Sequence, residues 1–254
     1  MTHRNHSFAI LLNKPMRTDQ PVVFTHIPKT AGSSINRAAE NVVGIANCAI
    51  ISNIPIDDRL TFLKNCLESR KKYIGGHFRY FDAQCFFDEA NFVVSLRDPI
   101  ERILSTYFMF LRNNSDAEKY KEDIRGSGFE KFYKDFFIRR KMDNLCCKFI
   151  CNEADRKRAA DIIYDKYSLV WSSDSTDAAW PMIFYALTSR KDRIPPLTKK
   201  NTAPIASTDR EFYLGSRPKH YHTFLNKSCL DMIIDTNRED IELYQWFLDI
   251  AKKD

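Results

Sequence analysis

The sequence predicts an α/β fold, a mostly parallel sheet flanked by helices on both faces. Short apolar, β-branched runs alternate with segments of helical periodicity, the pattern of parallel strands joined by crossover helices. Glycine is scarce, at 7 in 254 residues, so the turns that carry glycine after strand-like runs stand out. The length suits one large domain, and 44% apolar residues with 19 Phe and 11 Tyr can fill its core without disulfides or structural metals.

Residues 1–20 hold only one five-residue apolar run, Phe8 to Leu12, too short for a signal core or a membrane span. They read as a poorly structured N-terminal segment of a single domain, 1–254. With no span in view, the expected setting is soluble and cytoplasmic, without membrane insertion. Val22 to His26 is the first clear strand, and a helix follows over Ser33 to Asn41. A second helix is expected over Asp58–Ser69, then a short strand at Tyr73–Ile74. Asn91 to Leu96 is the second clear strand and runs into a helix over Pro99–Leu111. The polar and aromatic stretch Asn113–Arg140, with Gly126 and Gly128, reads as an excursion of helix and loop away from the sheet. A helix over Ala154–Tyr164 and a strand at Tyr167–Trp171 come next. The stretch Arg193–Asp209, with Pro195, Pro196 and Pro204, reads as a long irregular loop of the kind that often carries function. An amphipathic helix over Asn237–Lys252 closes the chain.

The formal charge of +6 is compatible with an anionic cofactor, an anionic polymer, nucleic acid, or simply a basic surface. Seven cysteines at irregular spacing do not make a disulfide framework. Cys146, Cys147 and Cys151 cluster, but no CxxC pair or nearby histidine completes a zinc set, so they read as reduced, partly buried thiols and no metal is expected. Lys131 to Lys141 reads as a solvated helix face with an aromatic inner side. No nucleic-acid module accompanies it.

The most informative segment is Phe24-Thr25-His26-Ile27-Pro28-Lys29-Thr30-Ala31-Gly32-Ser33-Ser34. A strand runs into a short loop and then a helix, which places backbone donors and hydroxyls at a helix N-terminus. Such a site favours a phosphate-like anion. Lys29 adds a positive charge that can follow charge building on a phosphosulfate bridge oxygen. The pattern GxxxxGK(S/T) is absent, because the lysine precedes the glycine.

In the second segment, Arg97 stands where a central strand ends, the edge at which α/β sheets bind ligands. Asp98, Pro99 and Glu101 form a capping-box arrangement for the next helix. Ser105 falls two turns further, where its face can return toward the strand end. Arg97 and Ser105 can thus hold a second phosphate, although read alone the segment is a well-capped helix with a surface arginine. Two separate anion sites match 3′-phosphoadenosine-5′-phosphosulfate (PAPS), whose 5′-phosphosulfate and 3′-phosphate lie on opposite sides of the ribose. A nucleoside triphosphate needs one contiguous cradle and a Mg²⁺, which Arg97 would repel. A P-loop kinase using ATP and a non-catalytic nucleotide-binding protein remain the alternatives.

The segments HIPKTAGSS and RDPIERILSTY resemble the two PAPS-binding motifs of the glycan sulfotransferase family that includes the heparan and dermatan uronyl 2-O-sulfotransferases. The resemblance implies a P-loop-type nucleotide-binding architecture, PAPS as donor with 3′,5′-ADP as product, and an acceptor hydroxyl on a glycan. It gives Lys29, Thr30, Ala31, Gly32, Ser33 and Ser34 to the 5′-phosphosulfate, and Arg97 and Ser105 to the 3′-phosphate. Between the motifs, Tyr73-Ile74-Gly75-Gly76-His77 puts an imidazole at the same sheet edge, where it can take the proton of an attacking hydroxyl. The family is similar in bearing its catalytic base on a Gly-His pair, which makes His77, with Lys29, the expected catalytic residues. Its uronyl members often carry another histidine where this sequence has Gly75. Lys199, Lys200, Asn201 and Thr202 resemble the segment that closes over the nucleotide, with Asn201 and Thr202 as the expected contacts. His26 is expected to pack at the strand end, and His220 and His222 lie in a basic stretch without further metal ligands.

Overall fold

A twisted stack of six strands organises the described residues, in the order β1-β6-β5-β2-β4-β3. The computed structural model describes residues 9–51, 55–113, 127–197 and 225–252. The strands are β1 (Ala9–Leu11), β2 (Val22–Thr25), β3 (Cys48–Ile51), β4 (Tyr73–Gly76), β5 (Asn91–Leu96) and β6 (Tyr167–Ser172). All neighbours are parallel except β1 and β6. β2, β4, β5 and β6 are buried along their whole length, which is why their sequences read as continuous apolar runs.

Alternate residues of these strands serve two cores. Val22, Phe24, Tyr73, Val93, Leu169 and Trp171 face α1 (Gly32–Val43) and α8 (Thr176–Thr188). Val23, Ile74, Phe92, Val94 and Val170 face the opposite layer, which includes α2 (Ile56–Glu68), α3 (Tyr80–Gln84), α6 (Leu145–Cys151), α7 (Arg156–Lys166) and α10 (Arg238–Ala251). A third, aromatic core joins α4 (Pro99–Asn113), α5 (Ser127–Phe132), the π-helical turn Tyr133–Ile138 and α9 (Lys227–Thr236) through Tyr107, Phe129, Phe132, Tyr133 and Phe137. The charges of the stretch 131–141 lie outside this core, so it is a solvated face with an aromatic inner side, as its sequence suggests.

The N-terminal segment departs from expectation. Ala9–Leu11 pairs antiparallel with β6, with Ile10 buried and Leu11 exposed. The Asn91 side chain accepts from the Arg17 amide at 2.7 Å and donates to its carbonyl at 2.7 Å. The short apolar run is therefore an edge strand, and residues 9–20 are tied to the sheet rather than loose.

A buried polar junction locks α4, α6 and α10. Asn144, in the left-handed conformation, offers α6 no side-chain cap. Both oxygens of Asp240 serve instead, accepting from the amides of Cys146 and Cys147 at 2.9 Å. The Arg102 guanidinium lies 3.6 Å from the same carboxylate, and both side chains are almost wholly buried. Asn237 and Asn144 complete the junction, with Asn144 accepting from the Asp240 amide at 3.1 Å.

Candidate active site

Strand order reverses between β2 and β5: from β2 the chain builds β3 and β4 on one side, then β5 and β6 on the other. The crevice at the carboxyl ends of such a pair is where open α/β sheets bind ligands. The HIPKTAGSS loop leaves β2 and the RDPIERILSTY segment leaves β5, so both flank that crevice.

The first loop is strained where it turns. Lys29 and Ala31 have φ of 71° and 65°, left-handed values that cost a non-glycine residue roughly 1–2 kcal/mol each. Ala31 gives α1 no side-chain acceptor, so the helix opens without a side-chain cap. Gly32 is required by close approach: a Cβ there would lie 2.2 Å from Cδ2 of His26. The Thr30 hydroxyl is bonded within the fold. It donates to the Ile27 carbonyl at 2.8 Å and meets Ser95 Oγ at 2.6 Å in a buried pocket, stapling the loop to β5. Ser33 and Ser34 sit half-buried in the first turn of α1, and the Lys29 ammonium lies 3.6 Å from Met109 Sδ on α4.

Arg97 connects the two segments. Its guanidinium donates to the Lys29 carbonyl at 3.2 Å and lies 3.4 Å from Glu101. Asp98 caps α4 as expected, accepting from the amides of Ile100 and Glu101 at 2.9 and 3.0 Å. The Glu101 carboxylate turns to Arg97 instead of completing the capping box. Ser105 is nearly buried two turns along α4, and no hydrogen bond joins it to Arg97.

Burial pushes the Glu101 carboxyl up from its ordinary 4.5 to about 7, against the pull of Arg97, and the neighbouring Asp174 and Asp98 add to the rise. The folded chain therefore holds a proton that the unfolded chain has released, and stability falls as pH rises from 4.5 to about 7. The expected loss is about 2–3 kcal/mol. Glu101→Gln is expected to flatten this slope, which thermal melts at about pH 5 and about pH 8 would read directly.

His77 follows β4, half-buried, its amide bonded to the Ile51 carbonyl at 3.2 Å. Its ring centroid lies 4.8 Å from that of His26. Two residues earlier, a Cβ on Gly75 would come 2.4 Å from Asn36 Oδ1 and 2.9 Å from the Tyr73 hydroxyl. Those groups are bonded to each other at 2.7 Å, so the volume above Gly75 is already taken. Gly76 is equally confined, because its Cβ would lie 2.0 Å from Cγ2 of Ile51.

Asn201 and Thr202, with Lys199, Lys200, His220 and His222, lie outside the described residues. Six of the seven cysteines are buried. Burial raises the thiols of Cys146, Cys147 and Cys151. Among the described residues, no His/Cys/Asp/Glu cluster is arranged to hold a metal ion and no helix is long and apolar enough to cross a membrane. Sequence reasoning missed the Glu101–Arg97 pair, for which the i,i+4 spacing was the available signal. It also missed the Asn36–Tyr73 pair, for which no signal existed.

A model of the sulfotransferase family matches residues 15–247. Heparan sulfate 2-O-sulfotransferase 1 of Pongo abelii and the protein of the same name from Homo sapiens are each 29% identical over 120 residues, 42% of this chain. The match spans about a third, 33%, of the length of these curated relatives.

Proposed function

This chain belongs to the sulfotransferase family, and we propose that it moves a sulfuryl group from PAPS to a carbohydrate hydroxyl through one domain that takes up the whole chain. The observation that carries the reading is the Arg97 bond to the Lys29 carbonyl. It fixes two basic, anion-binding segments against each other across the strand-order reversal, as a donor with two separated anionic groups requires.

In this scheme Lys29, the opening amides of α1 and the hydroxyls of Ser33 and Ser34 hold the 5′-phosphosulfate. Thr30, Ala31 and Gly32 contribute through backbone and loop shape. Arg97 and Ser105 hold the 3′-phosphate, and Asn201 and Thr202 close over the nucleotide. The acceptor oxygen forms a bond to sulfur as the bond from sulfur to the phosphate bridge oxygen breaks. His77 takes the hydroxyl proton. Lys29 and the loop amides stabilise the charge that develops on the departing phosphate, an electrostatic role of the oxyanion-hole type. The products are a sulfate ester and 3′,5′-ADP. Positive charge from Lys29 stands at the bridge oxygen, where a metal acts in phosphoryl transfer. The names of the relatives support a glycan acceptor. The filled volume above Gly75 sets this acceptor site apart from one that carries a second histidine there.

Calorimetric titration with 3′,5′-ADP, 5′-AMP and ATP, without and with Mg²⁺, tests the reading. Metal-independent binding of 3′,5′-ADP is expected, much weakened without the 3′-phosphate. Arg97→Ala is expected to weaken it about 10–100-fold, the worth of a charge-assisted phosphate contact. Equal or tighter binding of ATP with Mg²⁺ would overturn the donor assignment in favour of a kinase.

A further inference from the structure

We infer that His26, which closes on His77 across the β2–β4 ladder, is a positioning residue for the proton transfer assigned to His77, an inference that rests on that assignment. The backbone sets the pair side by side. The His26 amide donates to the Gly76 carbonyl at 2.9 Å and extends the β2–β4 ladder one step, so that His26 and His77 leave adjacent strands together. The two rings approach to 4.8 Å between centroids with 52° between planes. That is within the range of direct ring contact.

His26 is itself held on two further sides. Its ring stacks on Phe24 at 5.3 Å and 15°. On another side the backbone of Gly32 comes so close that no Cβ fits against Cδ2, Nε2 or Cγ of the imidazole. At 8% exposure the ring has no room to rotate away. An aliphatic or amide chain at position 26 would leave His77 without a flat wall.

Charge explains why the wall is useful. Burial holds the His26 imidazole well below its ordinary value, to about 3, and the positive ends of His77 and Lys29 push the same way. A protonated neighbour at this distance would oppose proton uptake by His77. The neutral ring confines the base without competing for its proton. His26 does not touch the reacting atoms in this scheme and acts through His77.

A purely structural alternative is that His26 only supports Gly32 and the anion loop. His26→Leu and His26→Gln separate the two, assayed with PAPS and heparan sulfate and by titration with 3′,5′-ADP. The inference predicts kcat lower by about 10-fold or more, with the PAPS KM and the 3′,5′-ADP Kd within about twofold of wild type. It also predicts a shifted pH dependence of kcat, and no further loss when either change is added to His77→Ala. A loss of 3′,5′-ADP affinity that matches the loss of kcat, or an undiminished effect in the His77→Ala background, overturns it. NMR titration of His77 Cε1–H gives a readout independent of turnover. His26→Gln is expected to raise its midpoint by about half a unit as the site hydrates. An unchanged midpoint in both variants overturns the coupling. Absence of wild-type turnover with the shift intact removes heparan sulfate as the acceptor, and absence of 3′,5′-ADP binding as well refutes the sulfotransfer reading instead.

Discussion

His77→Ala is expected to lower kcat by about 10²–10⁴-fold, the usual worth of a positioned general base, while 3′,5′-ADP affinity stays within about threefold of wild type. The split follows from where the residue sits. His77 leaves β4, and its ring meets that of His26, ahead of the turn of the Lys29 loop, at 4.8 Å between centroids. The Arg97 guanidinium donates to the Lys29 backbone carbonyl, a bond in which His77 takes no part. Initial rates with PAPS and heparan sulfate, beside calorimetry with 3′,5′-ADP, would check the prediction. A parallel loss of both quantities would make His77 a structural support of the crevice, and an unchanged rate would remove it from the chemistry.

Asp240→Ala is expected to destabilise the fold by about 3–5 kcal/mol, the range measured when one member of a buried ion pair is removed. The change strips the acceptors from the first amides of α6 and leaves the Arg102 charge buried. Arg102 has little in reserve, because its Nε and Nη2 already lack a hydrogen-bond partner. For a chain of this size the melting temperature would drop by about 10 °C. Replacing both members together, Arg102→Met with Asp240→Leu, is expected to cost less than Asp240→Ala alone, since no charge is then stranded. Urea unfolding of the three variants reads these differences. A loss under about 1 kcal/mol for Asp240→Ala would mean that water enters the junction and solvates Arg102.

The elements legible in the sequence are those whose pattern is set locally. β5 is buried on both faces and reads as a continuous apolar run, so its bounds, Asn91–Leu96, match expectation. The Asp-Pro-x-Glu start of α4 was legible for the same reason, although its glutamate serves Arg97 rather than the cap. β3 and β1 were not legible, because three- and four-residue edge strands take their identity from partners far along the chain. α8 carries Pro181 inside it and is apolar on nearly every side, so neither a helical stripe nor an unbroken helix signal marks it. At the site, motifs located the loop, Arg97 and His77. They did not show that the Thr30 hydroxyl is spent on Ile27 and Ser95, or that Tyr73 and Asn36 occupy the space over Gly75. Both facts depend on how separate strands and helices meet.

The pairing of β1 with β6 has a consequence for how the chain is made. Ala9 lies opposite Trp171, so the first strand leaves the ribosome long before its partner exists. Until β6 forms on β5, the segment that becomes β1 has no edge to join, and the parallel core from β2 to β5 must assemble without it. Non-local pairings of this kind are the slow steps of folding. Docking of the N-terminal strand is therefore expected to be among the last events of synthesis, sealing the β6 edge once the crevice is already built.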